Sequence, residues 1–364
     1  MGCRSSSSVT PDIAQIHRQG QAINEKVISH KFETYAVAFQ RLDEEILVLE
    51  MKCPGARLAT AEAWVEHLEK LQREKEISTN VFEPKTLLNS EKDDLLKIAL
   101  QLGITSSAGK AAEQEEFLAK ISTRSINITE DQVHGEMIQH AQQRMEELKK
   151  EYSQLRSLYE EQDGLWASIT GGTYTTSLEE RLDREVEGAR QIRDRLASVA
   201  EQWRTSGALL KVATKCAQQA LQYWNLIPVA ARAEDKLTLV LDCRHALLAA
   251  TKAYEGAQIA LPQAEIVRNR LLSSIHHSVQ YILTDMVSEQ RFTQSTRTFE
   301  SFHDTLIKTT TWLQDTFSRS LGKDIRESEE HIILLGKKLR QERIRFISTN
   351  AAEKIYLKRG SEGL

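Results

Sequence analysis

Residues Thr129 to Thr170 read TEDQVHGEMIQHAQQRMEELKKEYSQLRSLYEEQDGLWASIT, and their spacing decides the fold. Ile138, Ala141, Met145, Leu148, Tyr152, Leu155, Tyr159, Gln162, Trp166 and Ile169 recur at alternating steps of three and four. Such steps keep one stripe of a helix against a neighbour for more than four heptads. Gly171-Gly172-Thr173 ends the pattern, and Ser177-Leu178-Glu179-Glu180 reads as a capping box opening the next helix. That helix carries Leu182, Val186, Ala189, Ile192, Leu196, Val199, Trp203, Leu210, Ala213, Ala217, Leu221 and Trp224 before Pro228 stops it. Two long helices joined by about seven residues fold back antiparallel. The spacing therefore predicts a coiled-coil hairpin.

Working outward, a helical pattern runs from about Ala230 to Val287, where Pro262 either opens a new helix or kinks a single long one. The last long pattern, Phe299 to Ile347, includes Phe302, Leu306, Trp312, Leu313, Phe317, Leu321, Ile325, Ile332, Leu335 and Leu339. Upstream, patterns cover Asp12 to Lys52 and Ala59 to Glu76, and two short helices follow near residues 90–103 and 111–121. Strand patterns are nearly absent. The fold class is all-α: a long antiparallel helical bundle with a smaller N-terminal helical region. The expected division is a flexible N-terminus at 1–11, a helical region at 12–125, the long-helix bundle at 129–348 and a basic tail at 349–364.

Composition agrees with long helices. Of the 364 residues 40% are apolar and 27% charged, with only 16 glycines and 5 prolines, which leaves enough apolar surface for a core and too little punctuation for disorder. The net charge of −4 argues against nucleic acid as a partner, because phosphate binding needs a basic surface. Cys3, Cys53, Cys216 and Cys243 are sparse and show no C-x-x-C spacing, so a reducing compartment is expected. No apolar stretch approaches the ~20 residues of a membrane span.

Met1-Gly2-Cys3-Arg4-Ser5-Ser6 fits the pattern for N-myristoylation at Gly2, with a cysteine beside the acceptor. One myristoyl chain binds membranes with K on the order of 10⁴ M⁻¹, so stable anchoring needs a second signal. Cys3 supplies one as a palmitoylation site. These six residues resemble the doubly acylated N-termini of Src-family kinases and G-protein alpha subunits. The resemblance implies attachment to a cytoplasmic leaflet, of the plasma membrane or an endomembrane. It does not extend into the body of the chain, where no kinase or GTPase motif follows.

Signatures of catalysis are missing from the sequence. There is no G-x-G-x-x-G, P-loop, H-E-x-x-H or paired Glu-x-x-His, so no cofactor, metal or catalytic residue is expected. One charged stretch does stand out. Lys337, Lys338, Arg340, Arg343, Arg345, Lys354, Lys358 and Arg359 face only Glu342 and Glu353, a local charge of +6. Lys337, Lys338, Arg340, Arg343 and Arg345 are the candidate contacts for anionic lipid or an acidic partner, each worth about 1 kcal/mol near a charged leaflet.

The expected function is a non-enzymatic, dual-acylated peripheral membrane scaffold whose helix faces receive protein partners, a second copy of the chain among the candidates. One alternative resembles BAR domains, which are membrane-shaping dimers; the long antiparallel helices, Pro262 and the basic stretch carry that resemblance. The other is an enzyme built on a helical bundle without a recognisable motif.

Overall fold

The computed structural model describes residues 35–79, 91–267 and 269–361, and every regular element among them is a helix. In chain order they are α1 (Tyr35–Glu50), α2 (Pro54–Thr79), α3 (Glu91–Gln101), α4 (Ala108–Glu113), α5 (Glu115–Thr170) and α6 (Ser177–Leu226). Then come α7 (Ala233–Ala260), α8 (Asn269–Asp285), α9 (Glu289–Arg319) and α10 (Leu321–Ser361). The protein is an all-α helical bundle.

The predicted turn between α5 and α6 is present. Gly171 and Gly172 take φ of 72° and 81°, a left-handed backbone that glycine adopts without steric penalty. A Cβ at Gly172 would meet nothing within 4 Å, so only backbone strain opposes a side chain there. Gly172→Ala should therefore cost about 1 kcal/mol, read as a lowered urea midpoint with an unchanged slope.

Several boundaries differ from the sequence pattern. The capping residue is Thr176, one before the expected Ser177: its Oγ1 accepts the Glu179 N–H at 3.0 Å, and the Glu179 carboxylate accepts the Thr175 N–H at 2.9 Å. α5 starts at Glu115, so the expected helix near 111–121 and the one beginning at Thr129 are largely continuous, and the boundary drawn between 125 and 129 falls inside α5. The polar run at 122–129 looks like a break but holds no glycine or proline. Thr123 and Thr129 donate their hydroxyls back to Ala119 and Ser125 carbonyls at 3.0 Å, which lets them sit within a helix.

Pro262 neither starts nor kinks a helix. It lies in an irregular turn after α7, where the Gln258 side chain replaces lost backbone partners: it donates to the Ala264 carbonyl at 2.6 Å and accepts the Ile266 N–H at 2.8 Å. The expected single helix over 299–347 is interrupted at Ser320, whose hydroxyl donates to the Thr316 carbonyl at 2.6 Å. Trp312, Ile192 and Val199, expected on buried stripes, are exposed.

The helices group into two units. One comprises the described residues up to 52, with 153–190 and those from 330 on; the other comprises 53–152 and 191–329. In the second unit α7 is apolar on nearly all sides, with Leu237, Val240, Cys243, Leu247, Leu248, Tyr254 and Ala257 at 0% exposure, as befits a central helix. It packs against α3 and α8, with Trp224 of α6 and Phe299 and Phe302 of α9 in the same core. Cys243 is buried in that core and Cys53 elsewhere in the unit, and burial pushes both thiols up, Cys53 to about 11, so they stay protonated at neutral pH.

Among the described residues the first unit is built from four helices. Leu182, Val186 and Ala189 of α6 pack against Ile332, Leu335 and Leu339 of α10. Phe39 of α1 meets Trp166 of α5, while Glu50 at the other end of α1 meets Tyr159, one turn and more earlier on α5. Opposed numbering of this kind is the mark of antiparallel neighbours.

Candidate functional site

A cleft of about 510 Å³ opens within the four-helix unit, and its walls carry charged side chains beside the apolar seam that periodicity predicts. α1 contributes Asp43 and Glu50, one face of a helix two turns apart. α5 contributes Tyr159, Gln162 and Trp166; α6 contributes Asp183 and Arg190; α10 contributes Lys337, Arg340 and Arg343.

Asp43, Glu50 and Asp183 each meet a base. Glu50, only 5% exposed, accepts the Tyr159 hydroxyl at 2.6 Å and lies 2.5 Å from Arg190 Nε. Burial alone would lower the Arg190 pKa, but Glu50 and Tyr159 outweigh it and hold the guanidinium above its ordinary value. Arg340 pairs with Asp43, whose other oxygen accepts from Gln162 Nε2 at 3.4 Å. Arg343 donates through Nε to Glu179 at 3.1 Å and through Nη2 to Asp183 at 3.0 Å, and its guanidinium stands 5.3 Å from the Trp166 ring centroid. Glu179 is fully buried, so Arg343 balances a charge that water cannot reach. Phe39 and Phe346 flank Trp166 with ring centroids 5.7 and 6.2 Å away.

Chemically the arrangement fixes α10 in place: Arg340 is held to α1 by its ion pair with Asp43, and Arg343 to α6 by charge-assisted hydrogen bonds. The five residues expected to contact lipid or an acidic partner are thereby split. Arg340 and Arg343 are drawn together into the cleft, whereas Lys337, Lys338 and Arg345 are exposed. Lys337 sits on the cleft's rim. Gly2 and Cys3 lie outside the described residues.

Asp43, Glu50, Glu179, Asp183 and Arg190 escaped the sequence reading as members of a site. A signal was there. Tyr159 and Gln162 hold seam positions where an ordinary coiled coil places aliphatic residues, and such polar seam residues announce buried polar partners.

Outside the cleft, α9 exposes a stripe of Ile307, Lys308, Thr311, Trp312 and Asp315, with Trp312 46% exposed. No helix among the described residues is long and apolar enough to cross a membrane. No protein-family model matches the chain, and no curated protein or solved structure is similar to it.

Proposed function

We propose that the protein is a non-enzymatic scaffold held on a cytoplasmic leaflet by acyl groups on Gly2 and Cys3, with its helix faces receiving protein partners. The adjacency of Gly2 and Cys3 in Met1–Ser6 carries the reading, because two chains give the lasting attachment that one does not. The exposed Trp312 stripe on α9 supports the partner-binding half: tryptophans presented on a helix face are the commonest interface anchors. In the cleft the carboxylates of Asp43, Glu50 and Asp183 are engaged by arginines, which favours a structural role for them over catalysis.

Fractionation of cells expressing the intact chain tests the anchor. Gly2→Ala should move the protein to the soluble fraction, and Cys3→Ser should leave a weak, exchangeable association. If Gly2→Ala remains with membranes as the parent does, the reading is wrong.

The basic stretch enters as an auxiliary contact through Lys337, Lys338 and Arg345 alone. Reversing those three to glutamate should weaken binding of the acylated protein to anionic vesicles at low salt, and the difference should fade as screening shortens the Debye length below ~8 Å. Equal co-sedimentation of parent and variant at low salt would reduce the stretch to a solvated helix surface. Arg340 is left out of this variant because its reversal would also set a glutamate against Asp43.

A further inference from the structure

Arg244 of α7 is 3% exposed in the core of the second unit, and among the described residues no carboxylate accompanies it there. Burial therefore acts on it unopposed and pushes its pKa down to about 10. Its Nη2 donates to the Ser125 hydroxyl of α5 at 2.7 Å, while Nη1 is buried without a hydrogen-bond partner. A second orphan lies one turn away. Ser122, 1% exposed, also has an unpartnered, buried Oγ, and Ser122 and Ser125 leave the same face of α5 at a spacing of three.

We propose that Arg244, Ser122 and Ser125 form a binding site for a small monovalent inorganic anion, of the chloride class. The charge decides the class of ligand. A water molecule would satisfy the two orphan atoms but leave a buried guanidinium without a counter-ion, the costlier of the two deficits. Arg244 Nη1 and the Ser122 hydroxyl are both donors, and the Ser125 hydroxyl, which accepts from Nη2, still has its own proton to give. Every hydrogen still available on these groups therefore calls for an acceptor. One positive charge balances one negative charge, so a divalent oxyanion would restore the imbalance with the opposite sign.

The test is thermal unfolding of the full chain in sodium chloride against sodium gluconate at matched ionic strength, alongside chloride NMR line broadening. In the parent, chloride should raise the Tm of the second unit's transition saturably, by roughly 2–4 °C at tenfold excess over its Kd, and gluconate should not. Chloride resonances should broaden in its presence. Arg244→Met should abolish both effects. Ser122→Ala, which removes one donor and no charge, should shift half-saturation about tenfold upward, and it decides the matter should Arg244→Met fail to fold. Identical responses to the two salts in the parent, or a half-saturation unmoved by Ser122→Ala, would overturn the proposal and leave water as the occupant.

Discussion

Trp224→Ala should destabilise the second unit by about 4 kcal/mol, the range found when a fully buried tryptophan is truncated. The residue is 0% exposed and stacks on Phe292 at a centroid distance of 4.6 Å and an interplanar angle of 11°. Phe299 meets its ring edge-on at 5.2 Å and 80°. Each of these pairs adds about 0.5–1.5 kcal/mol beyond the area buried. The indole Nε1 donates to Thr296 Oγ1 at 2.8 Å, so truncation also strands a partner on α9. Urea unfolding followed by circular dichroism measures the loss. Trp312→Ala is the internal control: that side chain is nearly half exposed, and its replacement should change stability by about 0.5 kcal/mol or less. Equal effects at the two positions would mean that the core around Trp224 is not packed as described.

Glu201→Ala should cost about 3–5 kcal/mol, because it breaks a buried ion pair from one side only. Glu201 is 4% exposed on α6. It accepts from Arg57 Nε of α2 at 2.6 Å and from Arg144 Nε of α5 at 3.3 Å, with Arg204 at 3.5 Å. Removing it takes from Arg57, only 13% exposed, a carboxylate 2.6 Å away. Burial alone would raise the carboxyl's pKa, but the two arginines outweigh it and hold it below the ordinary value. A lowered folded-state pKa means stability that is present above the unfolded value of about 4.3 and is lost as pH falls through the folded one. The gap between parent and Glu201→Gln should accordingly narrow below about pH 4. Asp285 has the opposite sign. Burial raises its pKa despite the Ser295 hydroxyl at 2.7 Å, so its contribution falls as pH climbs through that raised value. Unfolding free energies at several pH values for parent, Glu201→Gln and Asp285→Asn separate the two.

The hairpin was legible because its signals are local. Leu148 and Leu155 are 0% and 6% exposed, as their spacing requires, and two glycines in sequence mark the turn. Tyr152, at another seam position, is 42% exposed, so the heptad pattern located the stripe without fixing every member. The turn at Pro262 was not legible, since the side chain that satisfies it, Gln258, carries no sequence mark of a cap. The cleft was hidden for a different reason. Arg343 finds Glu179 and Asp183 at separations of 164 and 160 residues, and a basic run read by itself looks the same whether its charges meet water, lipid or distant acids. Arg244 is the extreme case: an arginine between Cys243 and His245 gives no sign in sequence that it is buried without a carboxylate among the described residues.

The four-helix unit draws on chain stretches that end at 52, run through 153–190 and resume at 330. That arrangement imposes an order on biosynthesis. At ~5–20 residues per second, α1 waits on the order of 15–60 s after translation before Leu335, Leu339 and Arg343 are made. Throughout that interval the cleft lined by Phe39 and Ile46 lacks its α10 wall, and Asp43 lacks its arginine. A later stretch of the chain thus completes an earlier one. A ribosome stalled or a chain truncated before residue 330 would leave α1 unclosed and aggregation-prone, a hazard that falls to chaperones rather than to the finished fold.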